Sequence, residues 1–283
     1  MKICVFMHLF YTEMLDELLS CVKNLSYRPE IEYDLIVTLC SHNTEVEDKL
    51  YRFKDNTHVL IVPNRGYDVA PFLTALKTVD LGSYDYLIKL HSKRDLKQPA
   101  YLPCCKLIGN EWRHKLIEFM STPEHLAMSL ARFSSHPKIG MITAPELIVK
   151  ASKEDKGANV KAVKIISEMG LTSAKCHFVA GTMFMARAKL FIALQNLPYK
   201  ITDFEEFNPT HKGGSLAHAL ERVLGFMVSA QGYKIASYCP MRLKCKIACW
   251  GYKIKQFIFY KRLNSKNILH VKICKIPVYK KKL

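Results

Sequence analysis

The chain has 283 residues, 49% hydrophobic and 24% charged, with a formal net charge of +17. That is enough apolar material for a sizeable core, and no segment approaches the roughly 18 consecutive apolar residues a membrane span requires. Met241–Leu283 holds 13 of the 42 Lys and Arg and no acid, while the other 29 nearly balance 25 Asp and Glu, so the charge excludes a nucleic-acid-binding class for the body of the chain.

Taken in order, Lys2–Leu9 is an apolar strand and Glu13–Leu25 has helical spacing. The apolar stretch at the N-terminus has no small-residue cleavage site and acids follow it, so no signal peptide is expected. Asp34–Leu39 is a second strand, Thr44–Phe53 a polar helix, and His58–Pro63 a third strand ended by the turn Asn64-Arg65-Gly66. Asp68–Val79 is a helix and Tyr84–His91 a fourth strand. Short apolar strands alternating with helices predict a parallel sheet covered on both faces.

Asn110–Met120 and Glu124–Phe133 are expected to be helical, Ile139–Ala144 a strand, Glu146–Gly157 a loop and Asn159–Met169 a short helix. Phe178–Ala186 is predicted as one strand around Gly181, Leu216–Ala230 as a helix and Tyr233–Tyr238 as the last strand. The ten cysteines show no zinc-like pairing of CxxC units, and Cys4 and Cys40 sit in apolar strands, which points to reduced, packed thiols.

Ligands of open α/β sheets bind beyond the carboxyl ends of the strands. There the polar residues are His8, Thr38, Asn64, Arg65, Asp68, His91 and Lys93. No GxGxxG or P-loop is present. In Val62–Leu73, Gly66 permits a tight turn, and Arg65 could meet a phosphate bidentately. Asp68 falls at a helix start, where it either caps the helix or binds a sugar hydroxyl. His91, Lys93 and Arg94 cluster at the end of the fourth strand, as suits an anionic ligand.

The motifs NRGYDVAPFL, YDYLIKLHSKR, FVAGTMFMARAKLF and SLAHALERVLG, in this order, resemble the rhamnan synthesis protein F family, bacterial glycosyltransferase-like proteins of surface polysaccharide assembly. The resemblance runs to about Tyr238. It implies a GT-A-like α/β fold over residues 1–240, and the charge distribution marks 241–283 as a basic C-terminal tail. It also implies donor-binding roles for Asn64, Arg65, Gly66, His91 and Lys93, joined by His8 from its strand end. Asp68 matches the same signature, Gly181 an acceptor-side glycine, and His218, Glu221 and Arg222 the HAxER helix. Family members often carry Asp-Gly-Thr where this chain has Gly213-Gly214-Ser215. That departure keeps open a second reading, a catalytically degenerate member that binds glycan or assists assembly.

Many GT-A enzymes hold a divalent metal on a DxD motif, yet no two aspartates here are spaced i, i+2. His91, Lys93 and Arg94 stand in its place as cations that could stabilise the leaving diphosphate, so no metal and no cofactor besides the nucleotide-sugar co-substrate is expected. Candidates for the base that deprotonates an acceptor hydroxyl are Glu205, Glu206, Glu221 and Asp68, with His218 as a relay on the helix face of Glu221. Trp112 is a candidate acceptor-stacking residue, or a core tryptophan. Basic and aromatic residues alternate in RLKCKIACWGYKIKQFIFYKRL, a composition suited to an anionic membrane surface. RNA is the competing partner for such a segment, but lysine predominance on a near-neutral body favours the membrane. The expectation is a transferase that moves a sugar, rhamnose being a candidate, from a nucleotide donor to a lipid-linked glycan. Its expected place is the cytoplasmic face of a bacterial membrane, without nucleic acid.

Overall fold

The computed structural model describes residues 1–151, 156–172, 176–206 and 214–241. Beyond these it describes 246–247, 250–251, 254, 259–263, 268–273 and 276–282. The first half alternates as expected: β1 (Lys2–Leu9), α1 (Leu15–Lys23), β2 (Glu32–Leu39), α2 (Thr44–Phe53), β3 (His58–Ile61), α3 (Val69–Leu76) and β4 (Tyr86–His91). A hairpin β5 (Leu96–Tyr101) and β6 (Lys106–Gly109), which the sequence reading did not anticipate, leads to α4 (Glu111–Ile117) and α5 (Pro123–Ser135). Then come β7 (Ile139–Thr143), β8 (Ile148–Lys150), α6 (Lys156–Glu168), β9 (His177–Val179), β10 (Phe184–Arg187), α7 (Ile192–Gln195), α8 (Leu216–Ala230) and β11 (Lys234–Ser237).

Seven strands form the central sheet in the order β11-β7-β10-β4-β1-β2-β3. All neighbours run parallel except β10, which is antiparallel to both β4 and β7. The sheet is therefore mixed, and β10 alone breaks the expectation of an all-parallel sheet. Helices cover both faces. Phe72 of α3 packs edge-on against Phe6 of β1 at 5.4 Å, while Phe133 of α5 packs on Tyr86 of β4 at 4.7 Å. Phe6 pairs in register with Lys89, which has the opposite parity to Tyr86, and side chains of opposite parity point to opposite faces.

Three further expectations are corrected. The single strand over Phe178–Ala186 is two: β9 pairs with β8, and β10 joins the central sheet. Between them Gly181 and Thr182 both take left-handed backbone, φ +77° and +50°, which no continuous strand allows. The loop expected over Glu146–Gly157 contains β8, whose edge β9 satisfies. The basic C-terminal segment contains an antiparallel meander of β12 (Phe259–Leu263), β13 (Ile268–Ile273) and β14 (Ile276–Lys282), where the sequence reading placed only a tail. The Gly213 departure lies outside the described residues.

Candidate active site

The carboxyl ends of β1, β2 and β4 bring three polar side chains into one row. His91 is in register with His8, and His8 with Thr38, so the three share a face of the sheet. The His8 Nδ1 atom lies 2.9 Å from Thr38 Oγ1. Two residues before His91 on the same face is Lys89, 1% exposed. The sequence reading missed it. In a half-buried strand a lysine flanked by Ile88 and Leu90 reads as solvent-facing. In a strand covered on both faces it must be buried, and a buried ammonium requires partners.

Those partners come from two turns. The β3–α3 turn places Gly66 and Tyr67 in left-handed backbone, φ +64° and +56°. A Cβ on Gly66 would stand 2.5 Å from Phe204, so this corner admits no side chain. The turn delivers Asp68 to the N-cap of α3, but its carboxylate makes no capping bond. It faces the sheet instead and accepts from Lys89 Nζ through Oδ2. The plain capping role therefore fails. The second turn, Gly181–Thr182, presents Thr182, also missed in the sequence. Lys89 Nζ donates to the Thr182 carbonyl oxygen at 3.1 Å and to Thr182 Oγ1 at 3.0 Å, and the hydroxyl donates to Asp68 Oδ2 at 2.6 Å. A β-branched residue at φ +50° is strained, and this network holds it there. The signal for Thr182 was its place directly after Gly181.

His91 Nδ1 stands 3.5 Å from Asp68 Oδ2 and makes no hydrogen bond, although the residue is 4% exposed. Burial holds the His91 imidazole well below its ordinary pKa despite the nearby Asp68 charge, and burial brings His8 down to about 4. Both rings are neutral at neutral pH. Burial alone would raise the Asp68 carboxyl, but the neighbouring His91 ring, the Lys89 ammonium and the hydrogen bonds from Lys89 and Thr182 hold it far below the usual range. Since His91 is neutral, Lys89 supplies the charge that matters.

From α8, Glu221 feels both Asp68 and Lys89. Burial pushes its carboxyl up against the opposing Arg222, whose Nη1 donates to Glu221 Oε2 at 2.9 Å. Arg222 also sits over Phe178, 3.9 Å from the ring centre. His218, one turn earlier, has Nδ1 2.6 Å from Ser215 Oγ, the N-cap hydroxyl of α8, and meets the Tyr67 ring edge-on at 5.6 Å.

The other sequence candidates divide. Trp112 and Gly181 come together: a Cβ on Gly181 would stand 3.0 Å from the Trp112 ring and 2.4 Å from Leu116. Trp112 is half-buried on the core beside the Thr182 turn. Lys93 is half-buried close enough to act on His91. Arg94 is neutralised by Glu13 at 2.6 Å and stacks on Tyr11. With His91 neutral, the expected cluster of three cations contains one available cation, Lys93. Asn64 is exposed. Arg65 turns away from the row: it donates to the carbonyl oxygens of Phe204 and Thr202 at 3.0 and 3.4 Å, and to Glu206 Oε1 at 2.6 Å. Glu205 contributes its carbonyl oxygen to the Gly66 N–H at 3.1 Å. Arg65, Glu205 and Glu206 thus fasten the 201–206 segment to the turn.

A divalent ion fits this donor set poorly. The only carboxylate among the carboxyl-edge groups on β1, β2, β4 and the N-terminus of α3 is already bound to an ammonium, which would repel a second cation. No group of three or more His, Cys, Asp or Glu is arranged to hold a metal among the described residues.

The sequence profile of the rhamnan synthesis protein F family matches residues 1–233. The chain belongs to that family. The curated relatives include WxcX of Xanthomonas campestris pv. campestris, described as an uncharacterized protein. Its copies in strains B100 and ATCC 33913 are each 26% identical over 237 residues, 83% of this chain and 32% of theirs. The family member described here thus spans about a third of the length of these relatives. Among solved structures, Staphylococcus aureus TarS 1–349 superposes with a TM-score of 0.42 at 15% identity, covering 84% of this chain and 58% of that one. Glucosyl-3-phosphoglycerate synthase of Mycobacterium tuberculosis gives 0.41 at 10%, covering 99% and 89%. Likeness at this level says nothing about the reaction.

Proposed function

We propose that this rhamnan synthesis protein F family member is a GT-A-like glycosyltransferase that moves a sugar, with rhamnose the first candidate, from a nucleoside diphosphate to a lipid-linked surface glycan. One observation carries the reading. Asp68, His91, His8 and Thr182 gather around the buried Lys89 at the carboxyl edge of the sheet, within electrostatic reach of Glu221. Such an edge is where open α/β sheets take their ligands.

The reaction needs a bond from the acceptor oxygen to the anomeric carbon, and loss of the bond from that carbon to the diphosphate. The leaving electron pair stays on the diphosphate, and the acceptor proton goes to a base. Asp68 is a poor base, because the ammonium of Lys89 and the hydrogen bonds from Lys89 and Thr182 stabilise its ionised form and hold its proton affinity far below the usual carboxylate range. Glu221 suits the task. Arg222 engages its Oε2, and burial lifts its proton affinity toward the working pH. Lys93 would meet diphosphate charge. Lys93, the one available cation after β4, favours charge stabilisation without a divalent ion, so turnover should survive a chelator.

The C-terminal segment supports attachment to an anionic membrane surface. Its thirteen basic residues accompany exposed Trp250, Ile247, Val278 and Tyr279, the mix that favours a headgroup layer. No helix among the described residues is long and apolar enough to cross a membrane.

The test is turnover with a panel of nucleotide sugars and a lipid-linked acceptor. Glu221→Gln should lower kcat by about a hundredfold or more with donor affinity retained. Undiminished kcat in Glu221→Gln would remove Glu221 as base, and no sugar transfer or donor hydrolysis by the unaltered chain would remove the transferase reading.

A further inference from the structure

We infer that Asp68 reads a ring hydroxyl of the donor sugar through its second oxygen, Oδ1, and that Lys89 and Thr182 are the positioning residues that aim it. The inference rests on the donor-site reading above and says which part of a nucleotide sugar meets which atom.

The hydrogen-bond count leads there. An ammonium has three donors. Lys89 spends them on Asp68 Oδ2, the Thr182 carbonyl oxygen and Thr182 Oγ1. It therefore has no N–H for a ligand and is not a substrate contact. A hydroxyl has one donor and two acceptor sites. Thr182 receives from Lys89 and gives to Asp68 Oδ2. Oδ2 thus holds two donors, and only Oδ1 remains with full acceptor capacity. The Asp68 side chain is 19% exposed, so unlike Lys89 it is not sealed from solvent. A fixed, ionised oxygen there suits a neutral hydroxyl donor and repels phosphate. It therefore recognises the sugar rather than the nucleotide.

The network also explains the backbone. Thr182 accepts an unfavourable φ of +50°, and the two turns that flank Lys89, Gly66–Tyr67 and Gly181–Thr182, each hold two consecutive left-handed residues. Strain of this kind persists where surrounding contacts over-determine it, and it clusters at ligand sites.

The experiment is calorimetric titration of the full chain with matched pairs: UDP and UDP-glucose, dTDP and dTDP-rhamnose, GDP and GDP-mannose. For the sugar nucleotide that binds, analogues lacking one ring hydroxyl at a time are added. In the unaltered chain one deoxy analogue should bind about tenfold or more weakly. In Thr182→Val, which keeps the shape and removes the hydroxyl, the intact sugar nucleotide should lose a similar factor. The parent nucleoside diphosphate should change less than about twofold, and Thr182→Ser should restore sugar binding. A purely structural role would weaken both ligands alike and would not distinguish the deoxy analogue. Equal binding of all deoxy analogues by the unaltered chain overturns the inference even if Thr182→Val fails to fold. So does equal loss of both ligands in a folded Thr182→Val. No binding of any pair by the unaltered chain overturns the donor-site reading itself.

Discussion

A lysine that donates all three of its hydrogens inside the protein fixes the electrostatics of this site. Lys89 is desolvated, and the Asp68 carboxylate, the two Thr182 oxygens and the Phe72 ring, its centre 5.4 Å from Nζ, offset that cost. Removing one member of such a buried pair costs about 3–5 kcal/mol, so Lys89→Met should be much less stable than Thr182→Ser when the two are compared by denaturant unfolding. The buried histidines set a pH dependence. His8 has a folded pKa of about 4 against 6.5 for the free group. Between these values the unfolded chain binds a proton that folded His8 refuses, so stability is complete above about pH 6.5 and falls as the pH drops toward 4. His91 acts in the same direction. The His8 contribution alone is on the order of 3 kcal/mol, and His8→Gln should flatten that part of the stability profile. An unchanged slope in the variant would show that other groups drive acid unfolding.

Among the elements, the β3–α3 turn and the 201–206 segment form one unit. Arg65 ties them through two carbonyl oxygens and Glu206, and the Gly66 N–H completes the tie to Glu205. Arg65→Ala should speed amide exchange in residues 202–206 and lower stability by about 1 kcal/mol, while nucleotide affinity stays within about twofold. A tenfold loss of nucleoside diphosphate affinity with unaltered exchange would return Arg65 to the donor site. Gly181 faces a harder constraint. Its φ of +77° and the 2.4 Å approach to Leu116 leave no room for a methyl. Gly181→Ala should therefore cost about 1–3 kcal/mol, read from thermal unfolding, and should loosen the Thr182 turn that follows.

For the whole molecule, charge and fold are separated along the chain. The central sheet belongs to a nearly neutral body, while Met241–Leu283 carries +13. Surface electrostatics are screened over about 8 Å at physiological ionic strength. Vesicles containing anionic lipid should therefore bind the full chain at low salt and release much of it at high salt. Deleting residues 241–283 should abolish sedimentation with vesicles and leave nucleotide binding intact. Unchanged sedimentation of the truncated chain would place the membrane contact elsewhere, and loss of folding would move the domain boundary beyond residue 240.

Hydrophobic periodicity by itself determined the strand–helix alternation of residues 2–91. Thr44–Phe53 and Leu216–Ala230 appear with the predicted ends, their starts fixed because the Asn43 and Ser215 side chains accept from the Val46 and His218 N–H groups. The sequence also placed His8, Asp68 and His91 at strand ends, since a polar residue after an apolar run marks where a strand leaves the core. Only the tertiary structure decided what those residues do. The partners of Lys89 lie 21 and 93 positions away in the chain, and no local pattern carries such a pairing. The antiparallel insertion of β10, which brings Thr182 to Lys89, depends on Gly181–Thr182 breaking an apolar run that reads as continuous. In the sequence Arg65 reads as a phosphate partner, and the guanidinium fork that suits a phosphate suits a carboxylate and carbonyl oxygens as well. Its partners became known only when the chain brought Phe204 and Glu206 alongside it.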